Sequence, residues 1–300
     1  MKTSQIHPST GQEHQSKMED EMERIKGFLK IVCIFSVTNI LFNSNISRER
    51  NNICQMIINL LSSPRNISTA FMYSFASRSD MMVTDEPFYG CYLKESGAVH
   101  PGRDEIMNHM ECEYESVFQL VEEAHNSNHH LFVKNMSHHI PEKYFDRLLN
   151  FRNIILLRDP KEMIFSFSKV IENPTLLDIG VKIQKEQFNF LISHKQSVVV
   201  IDSNQILKNP AEALSKLCQA LNLSPSEQML KWESGPKSYD GIWAKYWYDN
   251  VHNSTGFKLN QEKEEIVLKG HLEKLYLDAK PFYDSLYQHS IKTENHASKV

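Results

Sequence analysis

Short runs of Ile, Val and Leu that do not alternate with polar residues recur along this chain, and helical segments separate them. The runs are QMIINLLSS (55–63), DMMVTDEP (80–87), HHLFVKNM (129–136), RNIILLRDP (152–160) and QSVVVID (196–202). A strand that is apolar on both faces must be covered on both faces, and strands joined through helices run parallel. The pattern therefore predicts a three-layer α/β domain with a central parallel sheet of about five strands. Ser68 to Ser77 reads as one helix. RDEIMNHMECEYESVFQLVEEAHN (103–126) sets Ile106, Met110, Val117, Phe118 and Val121 near one face of another. PEKYFDRLLN (141–150) and NPAEALSKLCQALN (209–222) have Pro near their starts, and KEMIFSFSKVIE (161–172) and Leu176 to Ser193 complete the set.

Three regions follow: an N-terminal extension over 1–50, the α/β domain over 51–288, and a polar tail over 289–300. Within the extension, Met1 to Lys26 is polar and reads as disordered, whereas 27–42 (GFLKIVCIFSVTNILF) is strongly apolar. That segment is shorter than the usual membrane span of about 20 residues. It also contains Lys30 and Asn39. A segment packed in protein is the favoured reading. A type II membrane anchor in the Golgi and a non-native extension are the others. A cytoplasmic location is expected. The net charge of −4 gives no global basic field, so no nucleic-acid partner is expected and any anion site must be local. Five widely spaced cysteines, Cys33, Cys54, Cys91, Cys112 and Cys218, form no CxxC pair. They suit neither a disulfide framework nor zinc, and they suit a reducing compartment.

Ligands of parallel sheets sit beyond the carboxyl ends of the strands, so the residues after each strand carry the functional signal. The first strand is followed by SSPRNISTA: Arg65, the hydroxyls of Ser68 and Thr69, and the N–H groups that open a helix. A helix N-terminus beside a cation is a ready anion site. The plainer reading is a strand-to-helix turn with one capping hydroxyl. The fourth strand is followed by RDPKEMIFS, with Arg158 at the strand end and Ser166 eight residues on. An arginine fork suits phosphate, although an Arg paired across the sheet edge would look the same. Two such sites on one sheet suggest one ligand with two separated phosphates.

SSPRNIST resembles the 5′-phosphosulfate-binding loop of sulfotransferases. RDPKEMIFS resembles their 3′-phosphate-binding motif, including the Arg-to-Ser spacing of eight. IDSNQILKNPAEALSKLCQALNL, DEPFYGCYL and DGIWAKYWYDNVHNSTGF are similar to further segments of a less studied sulfotransferase-like branch, so the resemblance runs from about Met56 to Phe257. It implies a P-loop NTPase-like (sulfotransferase) fold, 3′-phosphoadenosine 5′-phosphosulfate as co-substrate, and no metal. It puts Arg65 in the place of the loop Lys, at the 5′-phosphosulfate and its catalysis, with Asn66 in the same loop and Ser68 and Thr69 as the paired hydroxyls. Arg158 and Ser166 become the 3′-phosphate ligands. Trp243, in an aromatic block over 238–257, is a candidate to stack on adenine. Two departures stand out: the loop glycine of the best-known members is Ile67 here, and their Lys is Arg65.

Sulfuryl transfer moves a group in line between two oxygens, so positioning and charge stabilisation dominate and a base takes the acceptor's proton. Candidate bases are Glu86, after the second strand, and His138 and His139, after the third and downstream of Lys134. The plainer readings are a turn cap for Glu86 and solvent-facing rings for the histidines. Paired histidines also raise a metal site, but adjacent residues on a strand face opposite ways and no ligand spacing accompanies them. The segment 90–105 reads as a flexible lid beside a small hydroxyl or amine acceptor. Oligomeric state is not legible. Two other functions compete. One is a P-loop kinase or NTPase, with Asp159 of IILLRD as a magnesium ligand, although the chain has no GxxxxGK[ST]. The other is a catalytically silent binding module of the same fold, which the Arg65 and Ile67 departures keep open.

Overall fold

The computed structural model describes residues 55–125, 129–258 and 265–294. The extension with its segment 27–42, Cys33 and Cys54, and the last six residues of the tail lie outside the described residues, and so do the anchor and location readings attached to that segment. Among the described residues no helix is long and apolar enough to cross a membrane.

In chain order the elements are β1 (Ile57–Ser62), α1 (Ser68–Ala76), β2 (Met81–Asp85), α2 (Tyr89–Ser96), α3 (Arg103–His109), α4 (Tyr114–Ala124) and β3 (His130–Met136). Two 3₁₀ segments, Ser137–His139 and Glu142–Asn150, lead to β4 (Arg152–Leu157). Then come α5 (Pro160–Phe167), α6 (Leu176–Ile179), α7 (Val181–Ser193), β5 (Val198–Asp202), α8 (Ser203–Lys208) and α9 (Pro210–Ala220). After a 3₁₀ turn at Glu227–Leu230, α10 (Ala244–Trp247), α11 (Asp249–His252), α12 (His271–Tyr287) and β6 (Ser290–Ile291) close the fold. The sheet order is β2-β3-β1-β4-β5-β6, and every neighbouring pair is parallel. The expected parallel sheet is present with one strand more than the five read from sequence. Ser290–Ile291, inside the segment read as polar tail, pairs with β5 because Ser290 and Thr293 are buried there and Thr293 N–H bonds Gln205.

Side-chain direction along each strand builds the three layers. Ile58, Leu60, Phe132, Ile154, Leu156 and Ile201 face α1 and α9 on one side. Leu61, Leu131, Val133, Ile155, Leu157 and Val200 face α4 and α7 on the other. Both faces are covered by helices, which is why the strands carry no polar alternation.

Two segments read as single helices are each broken. Between α3 and α4 the Glu111 carboxylate accepts the backbone N–H groups of Cys112 (2.8 Å) and Glu113 (2.9 Å), satisfying donors that a helix would have paired. Between α6 and α7 the chain turns at Gly180, φ 71°, where an added Cβ would lie 3.4 Å from His138 Nδ1. The segment 90–105 is not a loose lid. It holds most of α2 and the start of α3, with Cys91, Tyr92 and Leu93 buried.

Asp202 ends β5 and caps α8 through Asn204 N–H (2.7 Å), and it also accepts from Tyr283 Oη (3.0 Å). Burial pushes its carboxyl up to about 6, with Asp159 and Glu162 adding to the rise. The folded state therefore holds a proton that the unfolded chain has already released. Stability falls as pH rises from the ordinary value of 3.8 to about 6 and stays reduced above it. Asp202→Asn keeps an acceptor for the cap and removes the charge. It should raise Tm at pH 7.5 by several degrees, from a gain of at most about 3 kcal/mol. Thermal melts at pH 7.5 and 3.5 check this, because the gain should vanish at the lower pH.

Candidate active site

The end of β1 sits between β3 and β4, where the strand order reverses, and a cavity of about 420 Å³ opens there. The turn Ser63–Ile67 forms its floor without a glycine. Arg65 and Ile67 adopt the left-handed conformation instead, with φ of 58° and 63°. For a β-branched Ile this costs on the order of 1–3 kcal/mol. The turn is pinned by its neighbours. Asn66, fully buried, donates to Leu156 O (2.9 Å), and Ser63 Oγ donates to Gln184 Oε1 (3.1 Å). Gln184 in turn donates to Leu61 O (3.1 Å) and Leu156 O (3.0 Å). Asn66 thus anchors the loop through its amide, while its Oδ1 is buried with no partner among the described residues.

The turn delivers the chain into α1, whose N-cap, Ile67, supplies no side-chain cap. Ser68 and Thr69 in the first turn line the cavity. Arg65 Nε donates to Ser166 Oγ (3.1 Å), so the two sequence motifs meet. Arg158 donates to the Arg65 carbonyl and lies 3.3 Å from Glu162 Oε2. Among the described residues Arg65 has no carboxylate partner. Burial and then the neighbouring Arg158 lower its affinity for its proton, yet a guanidinium stays charged. Asp159 is committed elsewhere: its side chain caps α5 through Lys161 N–H (2.8 Å), with Pro160 at the first helical position.

The opposite end of the cavity is built from the strand ends of β2 and β3. Lys134, fully buried, reaches Asp85 Oδ1 (2.9 Å), Glu86 Oε1 and Tyr248 Oη (2.9 Å). Tyr248 Oη donates to Asp85 Oδ2 (2.7 Å) and accepts from Trp243 Nε1 (3.2 Å). Trp243 therefore belongs to this buried network and packs edge-on to Tyr89, at the far end from the arginine pair. Glu86 has φ 42°, and burial raises its carboxyl above the ordinary value although Lys134 opposes that. Its second oxygen, Oε2, lies 3.8 Å from His139 Nδ1.

His138 and His139 do not lie on a strand. They occupy the 3₁₀ turn Ser137–His139, and their rings meet edge to face, 4.7 Å apart. His139 is sandwiched between Tyr89 (4.9 Å) and Tyr92 (4.6 Å). Burial pushes His138 down to about 4 and holds His139 well below its ordinary value, so both rings are neutral near pH 7. Among the described residues no group of three or more His, Cys, Asp or Glu side chains could hold a metal ion.

Sequence reasoning missed Asp178, His100 and the clamp residues Gln184 and Gln187. Gln187 Nε2 holds Ser137 O (3.0 Å) at the histidine turn. The available signal was two polar residues three apart on the apolar face of a helix. Lys134 carried a stronger one, a lone charge inside an apolar strand.

A parallel sheet with an anion-ready turn after its central strand places the chain among the P-loop NTPase-like α/β proteins. Within that class it belongs to the sulfotransferase domain family, whose model matches residues 56–290. Two curated relatives from Arabidopsis thaliana, branched-chain-amino-acid aminotransferase-like proteins 1 and 2, are 34% and 32% identical over 237 residues. Those residues are 78% of this chain and 42% of each relative, so the chain spans less than half the length of the curated relatives it matches. Among solved structures, the chain is similar to the sulfotransferase domain of the Synechococcus PCC 7002 olefin synthase, with TM-score 0.47, 16% identity, and 78% of this chain and 95% of that one covered. It is also similar to a sulfotransferase from Alicyclobacillus acidocaldarius, with TM-score 0.49, 10% identity, and coverage of 83% and 98%.

Proposed function

We propose that this chain transfers a sulfuryl group from 3′-phosphoadenosine 5′-phosphosulfate to a hydroxyl or amine of a small acceptor. The observation that carries this reading is the pair Arg65 and Arg158. Two guanidinium groups face one cavity at adjacent strand ends and repel each other, and Arg65 has no carboxylate partner among the described residues. An anion between them relieves that repulsion. The uncapped start of α1 adds backbone donors.

The residues fit the bisphosphate nucleotide. Arg65, Ser68, Thr69 and the first N–H groups of α1 would hold the 5′-phosphosulfate, and Arg158 and Ser166 the 3′-phosphate. The departure at Ile67 is compensated, because Ile67 keeps the left-handed backbone that a glycine would supply. The bound nucleotide supplies an activated sulfuryl group. The protein holds the charge that gathers on the leaving side with Arg65 and takes a proton from the acceptor on the other. Glu86 is the better base on this geometry: Oε1 is occupied by Lys134, while Oε2 is open to accept. His138 and His139 are weaker bases than a free imidazole, because burial lowers both. Asp159, which a magnesium-dependent reading needs, already caps α5 through Oδ1.

Thermal shift with adenosine 3′,5′-bisphosphate, with ATP and magnesium, and without ligand tests the reading. The bisphosphate should stabilise the protein, and Arg158→Ala should weaken its binding about 30- to 100-fold, the loss of a charged, two-pronged contact. A response to ATP with magnesium alone would sink the proposal. No response to either ligand would favour a silent module.

A further inference from the structure

The cavity is electrically two-ended. Its cationic side chains are Arg65, Arg158, Lys258 and Lys134. The first two face the anion turn, Lys258 follows Phe257, which packs on Trp232 in the core on the α1 side of the sheet, and Lys134 is consumed by Asp85 and Glu86, two carboxylates against one ammonium. The end beyond Glu86 is walled by Tyr92, His100, His138 and Trp247, and it also carries Asp178. The rings form a continuous wall: His138 meets Tyr92 at 5.0 Å, Tyr92 meets His100 at 5.9 Å, and His100 meets Trp247 at 6.5 Å.

Among the described residues the Asp178 side chain accepts hydrogen bonds only from Thr175, through Oδ2, in the capping box that opens α6. It forms no ion pair with any described residue. The histidines around it do not offset it: burial lowers His100, His138 and His139, an effect that outweighs the pull of Asp178 on His100 and His138, while His100 opposes protonation of His138 and both oppose that of His139. Every formal charge on this wall is therefore negative, and the surfaces around it are aromatic.

We propose that the acceptor is a cation: a hydroxyl compound that also bears an ammonium group, with the ammonium held by Asp178 and the aromatic wall and the hydroxyl presented to Glu86. An ammonium between a carboxylate without a counter-charge and π faces is attracted by both. An acceptor carrying a carboxylate meets repulsion at the same place. The inference rests on the transferase reading above and narrows it to a substrate class.

Two matched series test it. One is tyramine, 4-ethylphenol and 3-(4-hydroxyphenyl)propionate. The other is 4-(trimethylammonio)butan-1-ol, 5-methylhexan-1-ol and 5-hydroxypentanoate. Each is assayed for sulfated product, and for added thermal stabilisation in saturating adenosine 3′,5′-bisphosphate. In at least one series the cationic member should exceed the neutral one about tenfold in kcat/KM or affinity, with the anionic member lowest. Asp178→Asn should reduce that ratio to near one while leaving stabilisation by the bisphosphate alone unchanged. Equal use of neutral and cationic members in both series, a preference for the anion, no binding of either cation, or an unchanged ratio in Asp178→Asn would each overturn the inference. Because the bisphosphate response is read separately, failure of the acceptor class is distinguishable from failure of the donor site.

Discussion

Lys134→Met should cost the domain about 3–5 kcal/mol, the usual penalty for removing one partner of a buried ion pair. For a domain of this size that lowers Tm by roughly 10 °C at pH 7. Met keeps the length and the apolar stem, so packing along β3 is preserved and the loss reports the ammonium. Without it, Asp85 keeps Tyr248 Oη and Gly241 N–H as donors, but Glu86 keeps no counter-charge. Burial raises the Glu86 carboxyl and the Asp85 charge adds to the rise, while Lys134 is the influence that opposes them. Its removal makes the folded protein hold the Glu86 proton to higher pH than the unfolded chain does. Stability of the variant then falls more steeply as pH rises above the ordinary carboxyl value. The deficit relative to the parent should be smaller at pH 5 than at pH 7. Glu86→Gln placed on top of Lys134→Met should recover part of it, since the uncompensated acid is gone. Chemical denaturation of the parent, both single variants and the double variant at the two pH values checks this. Equal deficits at both pH values, or strictly additive losses, would show that the ammonium does not hold the two acids together.

The residues that were legible in the sequence are those whose type is dictated by backbone periodicity or by a chain terminus. Non-alternating Ile, Val and Leu runs fixed the parallel sheet because both faces of each strand are covered, as at Ile154 and Ile155 on opposite sides of β4. The placement of Arg65, Ser68 and Arg158 was legible because residues that follow the strands of a parallel sheet gather at one end of it, and one cavity is lined by all three. What escaped was set by tertiary contact. The break at Glu111 depends on a side chain capturing two N–H groups, and the local apolar spacing runs straight through it. Tyr248 reaches Asp85 across 163 residues of sequence, a pairing no local pattern announces. The sixth strand is two residues long and carries no run to read. The segment 90–105 looked loose because its surface is polar, whereas α2 is held by the buried Tyr89, Cys91, Tyr92 and Leu93.

Glu86→Gln should leave adenosine 3′,5′-bisphosphate binding within about twofold of the parent while lowering kcat by roughly 10²–10⁴, the range a positioned base contributes. The two effects separate because Glu86 lies at the end of the cavity away from Arg65 and Arg158. Gln preserves shape, and Lys134 keeps Asp85 and Tyr248 as partners, so the network survives the change. What is lost is the capacity of Oε2 to take a proton. The pH profile gives the sharper reading. A base must be ionised, so kcat/KM of the parent should fall as pH drops through the Glu86 carboxyl. Burial places that limb above the ordinary value of 4.5. The limb should be absent in Glu86→Gln and retained in His139→Ala. His139 has a different part to play. It fills the gap between Tyr89 and Tyr92 and stands 3.8 Å from Glu86 Oε2, which steadies that carboxylate's surroundings without a hydrogen bond to it. Its removal should raise KM more than it lowers kcat. If His139→Ala instead abolishes the limb and Glu86→Gln keeps it, the imidazole is the base, and the role of Glu86 shrinks to balancing Lys134.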